Sequence, residues 1–183
     1  MVSTCFAGID YSMTSPAVAV CNGHWSFANC KFYYLTTKTK FVWRDDKIVG
    51  EPFLDWSCPE ERFYELAKWA VSKICKSCLV GIEGYSYGSK GKVFEIGENA
   101  GLLKHYLYKY GHPFAIVEPK TIKKYATGNG NADKDMMQSA FIEETGLNIK
   151  EILGMTKKSW NPSSDIIDAY YIGKYTYEFY EVE

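Results

Sequence analysis

The chain is 183 residues long, 46% hydrophobic and 23% charged, with a net charge of −1. That length fits a single domain spanning residues 1–183 and allows about 70% of the unfolded surface to be buried; that composition excludes a disordered chain. No apolar run is long enough to cross a membrane, and residues 1–8 lack the basic and apolar stretches of a signal peptide. No membrane partner is therefore expected, and the expected location is the cytoplasm. The near-neutral total hides segregation: Tyr85 to Lys134 holds eight lysines against four acids, whereas the C-terminus is acidic.

The first 35 residues read as strands. Cys5 to Asp10 is apolar and ends in a carboxylate. Tyr11 to Pro16 is turn-like, and Ala17 to Cys21 is a second apolar run. Asn22-Gly23 signals a hairpin into a third strand from His24 to about Leu35, which completes an antiparallel meander. Thr36 to Trp56 has no clear period and reads as loop or edge structure. Pro59, Glu60 and Glu61 suit a helix start, and Phe63, Leu66, Ala67, Ala70 and Ile74 then recur at helical spacing.

Leu79 to Glu83 is a short strand that again ends in a carboxylate, followed by a Gly/Ser/Lys loop from Tyr85 to Lys92. A helix is predicted over Val93–Tyr110, a strand over Phe114–Val117, and a short helix from Pro119 to about Ala126. Asp133 caps a further helix that stops at Gly146. Ser163 or Ser164 caps a last helix. The order predicts an α/β domain with a mixed five-stranded sheet, three antiparallel strands and then two parallel ones.

The six cysteines read as free thiols, because the chain can build its own core and shows no export signal. Cys75 and Cys78 form one CxxC, with Cys58 the only nearby candidate for a further ligand. Neither a zinc site nor thioredoxin-type chemistry is expected from that.

Four acids stand out by placement: Asp10 and Glu83 at strand ends, and Asp165 and Asp168 at i and i+3 on the last helix. Ligands gather at the carboxyl ends of strands in open α/β sheets. If the first and fourth strands pair in parallel, the four acids meet there, and cations must then neutralise them. Hard oxygen donors suit Mg²⁺, with Mn²⁺ able to substitute, and two such ions can clamp a phosphodiester. Each acid alone has an ordinary explanation: a turn opener, a solvated strand end, a favourable charge at a helix N-terminus.

Gly8-Ile9-Asp10, Ile82-Glu83-Gly84 and Asp165-Ile166-Ile167-Asp168-Ala169, in that order, resemble the RuvC family of Holliday junction resolvases, within the RNase H-like superfamily. The resemblance extends through Ile96 to Gly101, through Val117-Glu118-Pro119, and through Lys123 and Gly128 to Ala132-Asp133-Lys134, so it covers nearly the whole chain. It implies an RNase H-like fold and a homodimer that resolves four-way DNA junctions with two Mg²⁺ ions. It also implies that Asp10, Glu83, Asp165 and Asp168 are the metal-holding acids and that Lys123 and Lys134 have catalytic roles. Lys124 and the loop residues Lys90 and Lys92 would add phosphate contacts.

The sequence departs from the family pattern in two places. The aromatic expected three residues after the glutamate is Ser86, flanked by Tyr85 and Tyr87, either of which could stack on a splayed base. The Thr36 to Trp56 segment has no clear family counterpart. These departures suggest a divergent, phage-encoded member, so the resemblance implies the cytosol of a bacterium or of an infected host. Three other readings compete: a nuclease of the same superfamily acting on flaps, branched DNA or RNA–DNA hybrids; a junction-binding module with an idle site; and an actin-like ATPase. The last needs two domains and a glycine-rich turn where this chain has Tyr11-Ser12-Met13.

Overall fold

The structure is a computed structural model that describes residues 5–84, 93–156 and 158–180. Its strands are β1 (Cys5–Asp10), β2 (Ala17–Asn22), β3 (Cys30–Thr36), β4 (Phe41–Trp43), β5 (Ile48–Pro52), β6 (Leu79–Glu83) and β7 (Phe114–Val117). Its helices are α1 (Pro59–Ser72), α2 (Val93–Lys109), α3 (Pro119–Thr127), α4 (Lys134–Thr145), α5 (Ile149–Ile152) and α6 (Ser163–Phe179). The strands form one mixed sheet in the order β4-β5-β3-β2-β1-β6-β7. β1, β2 and β3 are antiparallel neighbours, whereas β6 pairs in parallel with both β1 and β7.

Strand alternation divides the core into two layers. Cys5, Ala7 and Ile9 of β1 join Val80 and Ile82 of β6 and the apolar faces of α1 and α2. Phe6 and Leu79 face the opposite way, into a core with Ile166, Ile167, Tyr170 and Phe141. By the same alternation Gly8 and Asp10 of β1, and Gly81 and Glu83 of β6, lie on the α6 side. Gly8 is required there: a Cβ on it would collide with the Ala169 carbonyl and the backbone of Gly173. This close backbone approach seats α6 directly on β1 and fixes the height at which its first turn meets the strand end.

Four expectations are corrected. Among the described residues the sheet has seven strands, not five, because the Thr36 to Trp56 segment contributes β4 and β5. β5 lies parallel to β3 and buries Ile48 and Val49, and its turn from β4 is made by Arg44, Asp45 and Asp46, all at positive φ without a glycine. β3 starts at Cys30 rather than His24, because Trp25 and Phe27 turn inward onto Tyr170, Phe32 and Phe141 through a short 3₁₀ turn over Phe27–Asn29.

Neither Ser163 nor Ser164 caps α6; Pro162 precedes it after a cis peptide bond, and no side chain caps that end. Lastly, Cys5 and Cys75 are joined as a disulfide, while Cys21, Cys30, Cys58 and Cys78 are free. The sequence hid this pair because β1 and the α1–β6 link are 70 residues apart in the chain and adjacent only in the sheet.

Candidate active site

The register of β1 against β6 pairs Ile9 with Ile82, so Asp10 and Glu83 are the next residues along two adjacent parallel strands. α6 supplies the other two acids from its first turns. Asp10 and Asp165 are buried at 7% and 6% exposure, and Glu83 and Asp168 are half-buried.

The electrostatics show that the four carboxylates share one space. The Asp10 carboxyl is held well above its usual range by burial, then by Glu83, Asp165 and Asp168, against a smaller opposing pull from Lys134. Burial pushes Asp165 up to about 6, while bonds from Ser15 and the charge of Lys134 work the other way. Asp168 rises to about 7 through burial and the charges of Glu83 and Asp165, tempered by Lys123 and Lys134. Glu83 is raised by burial and Asp165, with Lys123 opposing. Among the described residues, Lys123 and Lys134 are the cations that act on these four acids, which leaves a surplus of negative charge there.

Lys134 is held in place by polar neighbours. Its Nζ donates to Asn161 Oδ1 at 3.0 Å and to Ser164 Oγ at 3.2 Å. Asn161 Nδ2 in turn donates to Ser15 Oγ at 2.6 Å and to Asp165 Oδ1 at 3.2 Å. α4, which carries Lys134 as its first residue, is fixed by Asp133, whose side chain accepts from the Met136 N–H at 2.9 Å. Asn161, Ser15 and Ser164 were missed by sequence reasoning; the only signal was the Asn161-Pro162 turn dipeptide.

The remaining sequence-predicted residues are divided. Lys123 acts on Glu83 and Asp168 and lines a small cavity of about 70 Å³ with Lys134, Trp160 and Asp168. Lys124, one residue on, lines a separate concavity with Lys120 and Tyr175. Tyr85, Tyr87, Lys90 and Lys92 lie outside the described residues.

Two larger hollows flank the acids. One, of about 340 Å³, has Asp10 and Glu83 on its wall together with Tyr11, Asn99 and Lys104. The other, of about 440 Å³, runs from Ser15 and Asn161 to Thr36, Lys38 and Lys40 beside β4.

The acids fit a pair of hard divalent ions. Asp165 Oδ2 is buried without a hydrogen-bond partner among the described residues, a costly state for a carboxylate oxygen unless a cation meets it. All the donors are carboxylate oxygens, which favours Mg²⁺ or Mn²⁺ over softer ions.

No protein-family model and no curated protein matches the chain. Solved structures do match it. Thermus thermophilus RuvC aligns with a TM-score of 0.55 at 18% identity, over 97% of this chain and 98% of that one. T. thermophilus RuvC in complex with Holliday junction substrate aligns with a TM-score of 0.56 at 18% identity, over 93% and 91%. A Fowlpox virus resolvase with substrate Holliday junction DNA is more distant, with a TM-score of 0.49 at 15% identity over 94% and 97%. This chain therefore has the mixed α/β, RNase H-like fold of T. thermophilus RuvC over nearly its whole length.

Proposed function

We propose that the chain is a metal-dependent, structure-selective DNA endonuclease that resolves four-way junctions by paired phosphodiester hydrolysis. The observation that carries this reading is the convergence of Asp10, Glu83, Asp165 and Asp168 at one end of the sheet, with more negative charge than Lys123 and Lys134 balance. The four acids would hold two Mg²⁺ ions (Mn²⁺ can substitute), which when bound activate water and stabilise the leaving 3′-oxygen.

The chain's own residues supply the rest. Lys134, oriented by Asn161 and Ser164, offers a positive charge to the scissile phosphate, and Lys123, which lines the same small cavity, adds a second. The hollow toward Lys38 and Lys40 is lined by hydroxyl and ammonium groups, which suits a phosphate backbone leaving the acids.

A homodimer places two such sites for symmetric cuts. On α2, Leu103 and Leu107 are core residues, whereas Phe94 (86% exposed) and Tyr108 (80%) face outward and offer a surface for a second copy. T. thermophilus RuvC, which shares this fold, has been captured in complex with Holliday junction substrate, and that supports the junction over other branched substrates.

The test is a cleavage assay with Mg²⁺ on equal amounts of a four-way junction, a flap, plain duplex and an RNA–DNA hybrid. Paired nicks confined to the junction are expected. Cutting of every branched substrate would reassign the chain as a debranching nuclease, and cutting of the hybrid alone as a ribonuclease H.

A further inference from the structure

At the end of the sheet opposite the acids, three cysteine side chains turn onto one point. Cys5 opens β1, Cys78 directly precedes β6, and Cys75 lies in the tight link between α1 and β6. In that link the Cys78 N–H donates to the Cys75 carbonyl at 3.4 Å, and Ser77 sits at a φ of +59°. The three Sγ atoms all lie within 4.8 Å of one another, and Cys78 Sγ is 2.7 Å from Cys5 Sγ. Cys5 and Cys78 are buried, and Cys75 is exposed. The parallel register Phe6 opposite Leu79 fixes the backbone beside Cys5 and Cys78, so their convergence follows from the sheet.

A disulfide between Cys5 and Cys75 employs two of these sulfurs and leaves the third crowded against them. The Cα atoms of that pair are 6.9 Å apart, just beyond the usual disulfide range of about 4.4–6.8 Å. A CxxC turn joined by a third cysteine from a neighbouring strand is instead a ligand arrangement for a thiolate metal centre. Metal–sulfur bonds of about 2.3 Å in tetrahedral geometry separate the sulfurs by about 3.8 Å, which lies inside the cluster's spread.

We propose that, once the Cys5–Cys75 bond is reduced, Cys5, Cys75 and Cys78 bind one Zn²⁺ ion as thiolates, with the fourth position open to water on the exposed Cys75 side. Reduction adds two electrons and two protons to the disulfide: in the test a phosphine gives the electrons, and water gives both protons and the oxygen of the phosphine oxide that results. Metal binding then releases the three thiol protons. The ion clips the start of β1 to the start of β6, the two strands whose far ends carry Asp10 and Glu83. Its role is structural, and it takes no part in cleavage.

The full chain, reduced with a phosphine and freed of metal by a chelator, is titrated with Co²⁺ and then Zn²⁺. One Co²⁺ per chain showing sulfur-to-metal charge-transfer absorption is expected, displaced by Zn²⁺. Cys75→Ser and Cys78→Ser should lose that band, and Cys58→Ser should keep it. Co²⁺ held by the carboxylates gives no such band, so this result is independent of the nuclease reading. A measurement on the unmutated chain guards against variants that fail to fold. Zn²⁺, at about ten times its dissociation constant, should slow alkylation of Cys75 about tenfold, and Mg²⁺ should not. A reduced protein with no thiolate band and unaltered alkylation would overturn the proposal, leaving the cluster as a disulfide with a neighbouring thiol.

Discussion

Strand β1 is six residues long, with a buried carboxylate at one end and a buried sulfur at the other. Each end meets the matching end of β6, so the same parallel pairing gathers Asp10 with Glu83 and Cys5 with Cys78. The two clusters differ in what burial demands of them. Sulfurs can close on one another, and Cys5 and Cys75 do so. Carboxylates cannot: their charges repel, and Asp165 Oδ2 has no partner among the described residues. The sulfur end closes with a bond of its own, whereas burial and mutual repulsion leave the carboxylate end with excess negative charge among the described residues.

The largest test of this contrast is Asp10→Asn. Losing one hard donor should lower junction cleavage on the order of 10³-fold while junction binding, which rests on the lysines, is unchanged. Cleavage at the wild-type rate would remove Asp10 from the site. Lys134→Ala should slow cleavage on the order of 10²-fold and weaken binding far less, as single-turnover rates and junction titrations would show. Equal losses in rate and affinity would reduce Lys134 to a plain phosphate contact.

Gly8→Ala probes the scaffold between the two ends. Its methyl group would push against the Ala169 carbonyl and Gly173, displacing α6 with Asp165 and Asp168. Urea unfolding should report a loss of about 1–3 kcal/mol, and an unchanged midpoint would contradict the seating of α6 on β1.

The acids also predict an unusual pH response. Asp165 and Asp168 titrate near 6 and 7 in the folded state, above the unfolded carboxylate range. The folded form therefore binds more protons in that window, and the contribution of these groups to stability declines as pH rises from about 4 to about 7. In metal-free protein, Asp165→Asn should flatten this decline, and Mg²⁺ should raise the melting temperature of the wild type most at the upper end. A wild-type response matching that of the variant would contradict the repulsion.

The smallest effect is expected at the edge of the sheet. Lys38→Ala or Lys40→Ala should reduce the slope of log affinity against log salt by about 0.9 each, with cleavage at saturation unchanged. An unaltered slope would exclude the hollow beside β4 as a DNA path.

The parts of the fold set by local chemistry were legible in the sequence. The bounds of β6 and β7 follow from short apolar runs, and Asp133 and Gly146 mark the ends of α4 where the structure has them. Asp10 and Glu83 were legible because each ends a strand, and Asp165 and Asp168 because they lie three residues apart near the start of the last helix. Features that depend on distant parts of the chain were not. β4 and β5 lack strong periodicity because one is only three residues long and the other is an edge-proximal strand, and their turn uses Arg44, Asp45 and Asp46 rather than glycine. Asn161 touches Ser15 across 146 residues, and Cys5 meets Cys75 across 70. No local pattern records either contact. The Tyr85 to Lys92 loop, where stacking and phosphate contacts were expected, lies outside the described residues.

If the carboxylate end is a site for hard cations, it should take them up without DNA. The most direct measurement is Mn²⁺ binding to the metal-free protein, followed by electron paramagnetic resonance, for the wild type and Asp10→Asn. Two ions bound per wild-type chain, with binding sharply weakened in the variant, is the predicted result. Identical binding by both proteins, or none by either at millimolar Mn²⁺, would exclude a hard-cation site at these acids.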